Sequence, residues 1–263
     1  MRLAFMLFAA LLVQFAEAKP TSTNKQPLVI AYGGYAEEPY VFMHNNQVSG
    51  GVYWDLAELI SERLARPVIF RRVPRKRIEQ YLASGKVHVM LLGHPTWVQK
   101  PEALEWTSTL IREYNQLVQA KGRTFTVNSL DDLVGKRVGM ILGYHYRGLS
   151  DEPYRSTVVR DDAKDVEANF KRLAQGRLDA LLDSNILIAY FLQQHQAHDR
   201  FEVVTSWNIP YDTVSGISPK SPVSAAQLSE VYQQLHREGK IDAMLERYLN
   251  APTPRLVDKK TAP

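Results

Sequence analysis

Asp183 offers the clearest chemical opportunity in the chain. It follows an apolar run over 178–182 and precedes a helical pattern over 185–194, which puts it at the C-terminal end of an expected strand. A carboxylate there either faces a cleft as a partner for a ligand cation or caps the helix that begins at Asn185. A second concentration is Tyr144, His145, Tyr146 and Arg147, directly after an expected strand at 138–142. It supplies two aromatic faces for a planar or sugar-like ligand and a guanidinium for an anion; a solvated basic loop with core-packed rings fits the same residues. A third is the stretch holding Tyr35, Glu37, Glu38, Tyr40 and Phe42, with Tyr53 and Trp54 just beyond. Tyr35 and Tyr40 read as wall residues, and Glu37 and Glu38 as a solvated pair. Tyr53 and Trp54 are adjacent, so a helix cannot aim both the same way.

Other chemistries are excluded or unsupported. Cysteine is absent from the 263 residues, which removes disulfides, cysteine-ligated metals and a thiol nucleophile. The seven histidines are scattered without ligand spacing, and no Gly-x-Ser-x-Gly elbow or Ser-His-Asp order appears. No cofactor, no metal and no catalytic residue is therefore expected. The formal charge of +4 is too small to argue for nucleic acid. The basic run Arg71, Arg72, Arg75, Lys76 and Arg77 reads as a solvated face or an anion site.

The elements that must position these groups alternate in type. A composition of 45% hydrophobic and 23% charged residues is that of a globular protein. Residues 1–18 read as a cleaved secretory signal: Arg2, an apolar run at 3–15 too short to span a membrane, then Ala16-Glu17-Ala18. The mature chain is expected in the periplasm, beginning at Lys19 with a flexible leader to 27. Strands are expected at 28–32, 68–70, 87–92, 115–120, 138–142, 178–182 and 201–205. Helices are expected at 52–65, 74–84, 165–174, 185–194, 224–238 and 241–249. In the first helix Leu56, Leu59, Ile60 and Leu64 form one apolar stripe. Ser129 with Asp132 reads as a variant capping box, and Gly85 and Gly176 as helix stops. The junctions at 81–91 and 173–182 echo each other, each running helix, Gly, basic residue, buried strand, as expected of two similar lobes. A loose tail is expected at 251–263.

In order and spacing, these pieces resemble the family 3 extracellular solute-binding proteins. Pro39-Tyr40-Val41-Phe42 resembles the family's P-[FY]-x-[FY]. Gly50-Gly51-Val52-Tyr53-Trp54-Asp55-Leu56 resembles its G-G-x-x-x-D-L. Residues 130–143 and 173–183 resemble its L-x-D-L-x-G-K-x-V-G-x-x-x-G and L-x-x-G-R-x-D-A-x-x-x-D. The resemblance implies a two-lobed α/β fold of the type II periplasmic binding class, each lobe a sheet flanked by helices, with two crossover strands near 111–116 and 211–215. Lobe one comprises 28–112 plus 216–250, lobe two 117–210, and ligand sits between them.

The resemblance also implies site residues, and here the sequence departs from the pattern. The family's carboxylate-binding Arg falls on Lys100 and its Thr on Trp97, while Leu92, Gly93 and Pro95 replace small hydroxylic donors. A lysine is a point charge and cannot reproduce a guanidinium fork. Asp183 matches the acid that holds a ligand ammonium. Lys100, Arg147 or Arg77 is then expected to supply the anion contact, Arg77 by likeness to a P-x-x-R variant, with Tyr35, Tyr40, Trp97 and Tyr144 as walls. His88, where the family has Asp, reads as structural. The expected function is a monomeric, non-catalytic receptor that presents a small polar ligand to a membrane permease or a sensor. The alternatives are a dehydratase-like enzyme on the same scaffold and a ligand-less accessory protein of a periplasmic redox enzyme.

Overall fold

The computed structural model describes residues 25–33 and 37–249. The expected signal segment, all but the end of the expected leader, Tyr35 and the expected tail at 251–263 lie outside the described residues. In chain order the elements are β1 (Leu28–Tyr32), β2 (Phe42–His44), β3 (Gln47–Gly50), α1 (Val52–Leu64), β4 (Val68–Arg72), α2 (Ile78–Ser84), β5 (Val89–Gly93), β6 (Glu105–Trp106), β7 (Ile111–Ala120), β8 (Arg137–Ile141), α3 (Tyr154–Thr157), β9 (Val159–Ala163), α4 (Val166–Ala174), β10 (Ala180–Ser184), α5 (Asn185–Gln194), β11 (Phe201–Ile217), α6 (Ala225–Arg237) and α7 (Lys240–Leu249).

The strands run in the order β4-β1-β5-β11-β7-β10-β8-β9, with β6 also on β11 and β2–β3 as a separate hairpin. The fold is a two-lobed α/β architecture, each sheet flanked by helices. In β1, Leu28 and Ile30 face a core built with Leu56 and Ile60 of α1 and Leu228 and Tyr232 of α6. Val29 and Ala31 face the other side, against Ile78 and Leu82 of α2. The second sheet repeats the arrangement. Val118 and Leu181 meet Phe170 of α4 and Leu187 and Ile188 of α5 on one face, and Leu117, Val138 and Leu182 meet Leu133 and Tyr146 on the other. This period-two burial is what a strand covered on both faces requires.

β7 and β11 join the two sheets. They pair antiparallel, Ile111 with Thr213 through Gln116 with Asn208, and again from Val118 with Val203 to Ala120 with Phe201. β11 pairs with β5 and β6 at its far end. The expected strand at 201–205 and the extended run at 211 onward are thus one 17-residue strand; Pro210 within it looks like a break in sequence but pairs opposite Tyr114.

Local signals account for several boundaries. Asp132 and Ser129 form a reciprocal capping box at the turn Leu130–Leu133. Gly85, at φ +73°, ends α2 in the left-handed region. His88 is 3% exposed, and its Nδ1 accepts the Val29 amide at 3.0 Å, tying β1 to the entry of β5. Burial, then Arg71 and Arg66, hold this imidazole below its ordinary value, so it stays a neutral acceptor.

Candidate ligand-binding cleft

A cavity of about 250 Å³ lies between the lobes, lined from both of them and from the connecting strands. Such a volume sits at the small end of ligand pockets. β10 delivers Asp183 to it. Asp183 is 3% exposed; its Oδ1 accepts the Ser184 amide at 2.8 Å, and its Oδ2 has no hydrogen-bond partner among the described residues. The cap of α5 is Ser184, whose hydroxyl accepts from the Leu187 amide at 3.2 Å. The two tasks open to Asp183 are therefore divided between neighbours, and the carboxylate lines the cavity.

Tyr40 reaches the same place from the first lobe. Its loop is held by α1: the amides of Val52 and Tyr53 donate to the carbonyls of Pro39 and Tyr40 at 3.0 and 2.9 Å. Gly51 makes this approach possible, because at φ +99° a Cβ would stand 2.6 Å from the Tyr40 carbonyl oxygen. The Tyr40 hydroxyl donates to Glu113 Oε2 at 2.5 Å and meets the Ser184 hydroxyl at 3.0 Å. Tyr211 donates to the same Glu113 oxygen at 3.0 Å from the strand opposite, where it is paired with Glu113 in register.

The acidic groups perturb one another. Burial drives the Asp183 carboxyl well above its usual range, with Glu37 and Glu113 adding to it. Burial also raises Glu113, against the pull of its Tyr40 and Tyr211 hydrogen bonds. Glu37 is pushed up to about 7, by burial first and also by Asp165, while its bond from the Val166 amide, 3.4 Å long, works the other way. That bond crosses between lobes to the first turn of α4. Glu38 does likewise, accepting from the Tyr190 hydroxyl at 3.1 Å. The expectation of a solvated Glu37–Glu38 pair is thus corrected: both side chains bridge the lobes.

The remaining expected residues divide. Trp97 and Tyr144 line the cavity with Tyr40 and Asp183. Trp97 sits in a 3-10 turn, Pro95–Trp97, capped by His94, and meets Tyr211 edge-on at 5.9 Å. Tyr146 also lines the cavity, but it is 2% exposed and its hydroxyl takes the Ile141 amide at 3.1 Å, so it supports the loop from within the core. Arg77, Lys100 and Arg147 are exposed and are not among the lining residues. Lys100 heads a 3-10 turn, with its amide on Glu79. Arg147 lies close enough to His94 that, after burial, it is the next influence holding that imidazole low. The lining guanidinium is instead Arg75, which donates to the Trp97 carbonyl at 2.6 Å.

Sequence reasoning missed Arg75, Tyr53, Glu113, Ser184 and Tyr211 as lining residues. Glu113 and Tyr211 fall in segments that the sequence marks only as connections; an acid between Ile111 and Leu117 in an otherwise half-apolar strand was the available signal. Among the described residues, no group of three or more His, Cys, Asp or Glu is placed to hold a metal.

The model of the bacterial extracellular solute-binding proteins, family 3, matches residues 29–251. The chain belongs to that family. Solved two-lobed structures share the fold of this family 3 protein. An ancestral arginine-binding protein bound to arginine is 19% identical, with a TM-score of 0.65 over 86% of this chain and 99% of that one. The amino acid ABC transporter substrate-binding protein AbpA from Streptococcus pneumoniae, bound to L-arginine, is 15% identical, with a TM-score of 0.68 over 87% and 97%. The GluR0 ligand-binding core from Nostoc punctiforme, in complex with L-glutamate, is 16% identical, with a TM-score of 0.66 over 86% and 100%. At these identities the likeness is one of fold, and the ligands of those three proteins differ in charge. A search of curated protein sequences returns no match.

Proposed function

We propose that this family 3 protein works in the periplasm as a receptor that closes its two lobes on a small polar solute carrying a positive group, and presents it to a membrane permease or a sensor. The observation that carries the reading is Asp183: a buried carboxylate with one oxygen unpartnered among the described residues, lining an interlobe cavity of about 250 Å³. Leaving such an oxygen without a partner costs folding free energy, and a cation from the ligand supplies what is missing. Trp97, Tyr144 and Tyr40 give the apolar and aromatic walls, and Asn115 and Thr96 neutral polar contacts. The solved relatives named above hold arginine or L-glutamate, which supports a solute of that size.

A thermal-shift screen of the mature protein against amino acids, organic acids, polyamines and aromatic amines tests the reading. A true solute at 100 times its Kd stabilises the fold by about 2.7 kcal/mol. The placement of the cation is overturned by a hit that titrates normally in Asp183→Ala.

A further inference from the structure

The charges of the cleft are unevenly placed, and this bears on what the solute carries beside its cation. Asp183 and Glu113, 3% and 2% exposed, stand on the floor with the tyrosine hydroxyls of Tyr40 and Tyr211 on Glu113. Glu37 adds a third acid close by. An α-amino acid has its carboxylate one carbon from its ammonium. A cation on Asp183 holds that carboxyl in its ionised form, and the solute carboxylate would then be pressed against this charge on a floor that offers it acids rather than cations; like charges in poorly hydrated surroundings repel strongly.

The nearby wall does not relieve this. The end of β5 contributes Leu91, Leu92 and Gly93 to the lining, without a side-chain hydroxyl or a charge. Arg75 is the one guanidinium among the lining residues; it is exposed, and a nitrogen of it is committed to the Trp97 carbonyl. Lys100, Arg77 and Arg147 are not among the lining residues, and His145, which is, has its Nε2 3.9 Å from the Asp151 carboxylate. What surrounds the floor is instead a set of aromatic faces, Trp97, Tyr40, Tyr144 and Tyr211 prominent among them, and such faces favour organic cations.

We propose that the cleft, granted the solute-capture reading above, selects an organic amine or guanidinium compound that has no carboxylate beside its charged nitrogen. The ligand nitrogen sits on Asp183 Oδ2, its aliphatic or aromatic body lies between the rings, and the missing carboxylate clamp is a consequence of this choice of solute.

Calorimetric titration of the mature wild-type protein with matched pairs tests this: tyramine against tyrosine, agmatine against arginine, cadaverine against lysine, and 4-hydroxyphenylpropanoate as an acid without nitrogen. The expected result is that at least one amine binds, at least tenfold tighter than its amino acid, and that Asp183→Asn with an unchanged melting temperature weakens it at least tenfold. The pair comparison is made on the wild type and does not depend on that variant folding. If the amino acids bind as tightly as the amines or more so, the amine assignment is overturned and the receptor reading stands; if the nitrogen-free acid does so, the amine assignment falls together with the placement of a cation on Asp183. If no member of the panel binds, the receptor reading falls and the amine assignment falls with it.

Discussion

The Tyr40 hydroxyl donates to Glu113 Oε2 at 2.5 Å, joining a loop of the first lobe to a strand that connects the lobes. The same hydroxyl meets Ser184 of the second lobe at 3.0 Å. One phenol thus fixes the height of the floor on which Asp183 stands. Tyr40→Phe removes both contacts and leaves Glu113 with Tyr211 and Ser184. The expected cost is about 1–3 kcal/mol of folding stability, read from urea unfolding, together with weaker ligand binding. An unchanged midpoint would show that the phenol does not hold the lobes.

Asp183→Asn separates function from stability. The amide cannot match a cation, so amine affinity is expected to fall by about 2–4 kcal/mol, some 30- to 1,000-fold. The unliganded protein should melt close to wild type, because the amide oxygen still accepts from the Ser184 amide and one unpartnered polar atom replaces another. A clear drop in the melting temperature would mean that the carboxylate is structural.

Stability should depend on pH through Glu37. Its carboxyl titrates near 7 when folded, above the ordinary 4.5, so the folded chain keeps a proton that the unfolded chain has released. Its contribution is therefore full below about pH 4.5 and is lost as pH rises toward 7, on the order of 3 kcal/mol at most. Glu113 and Asp183, also raised, extend the decline in the same direction. Thermal unfolding from pH 4.5 to 8 measures the slope, and Glu37→Gln should flatten its lower part. A bound amine should oppose the decline, since it favours the ionised acids.

His88→Leu tests a residue read as part of the fold. It removes the acceptor of the buried Val29 amide and should cost about 1–3 kcal/mol, while ligand affinity in the remaining folded protein stays at the wild-type value. A change in affinity without a change in stability would move His88 into the site.

Much of this architecture can be read from periodicity. The stripe of Leu56 and Ile60, the stop at Gly85 and the Ser129–Asp132 box are short-range patterns, and short-range physics decides them. Asp183 is legible because a strand end before a capped helix is a local arrangement too. Arg75 and Arg77 are not: which of two arginines on one short turn lines the cavity depends on where the Pro95–Trp97 turn packs, a contact more than 20 residues away. Glu113 and Tyr211 become a pair only through a register spanning 98 residues. The β2–β3 hairpin and β9 escaped because their exposed polar residues carry little alternation.

β7 and β11 form a two-stranded ribbon between the sheets, held in register over 111–116 and 208–213 and clasped by the exposed Arg112–Asp212 pair. Locked rungs resist sliding more than bending or twist, so any movement of the halves would turn about this ribbon like covers about a common spine. An oversized guest would then leave them ajar at a fixed tilt, and the size limit on cargo would be enforced by leverage at the spine as much as by contacts at the floor.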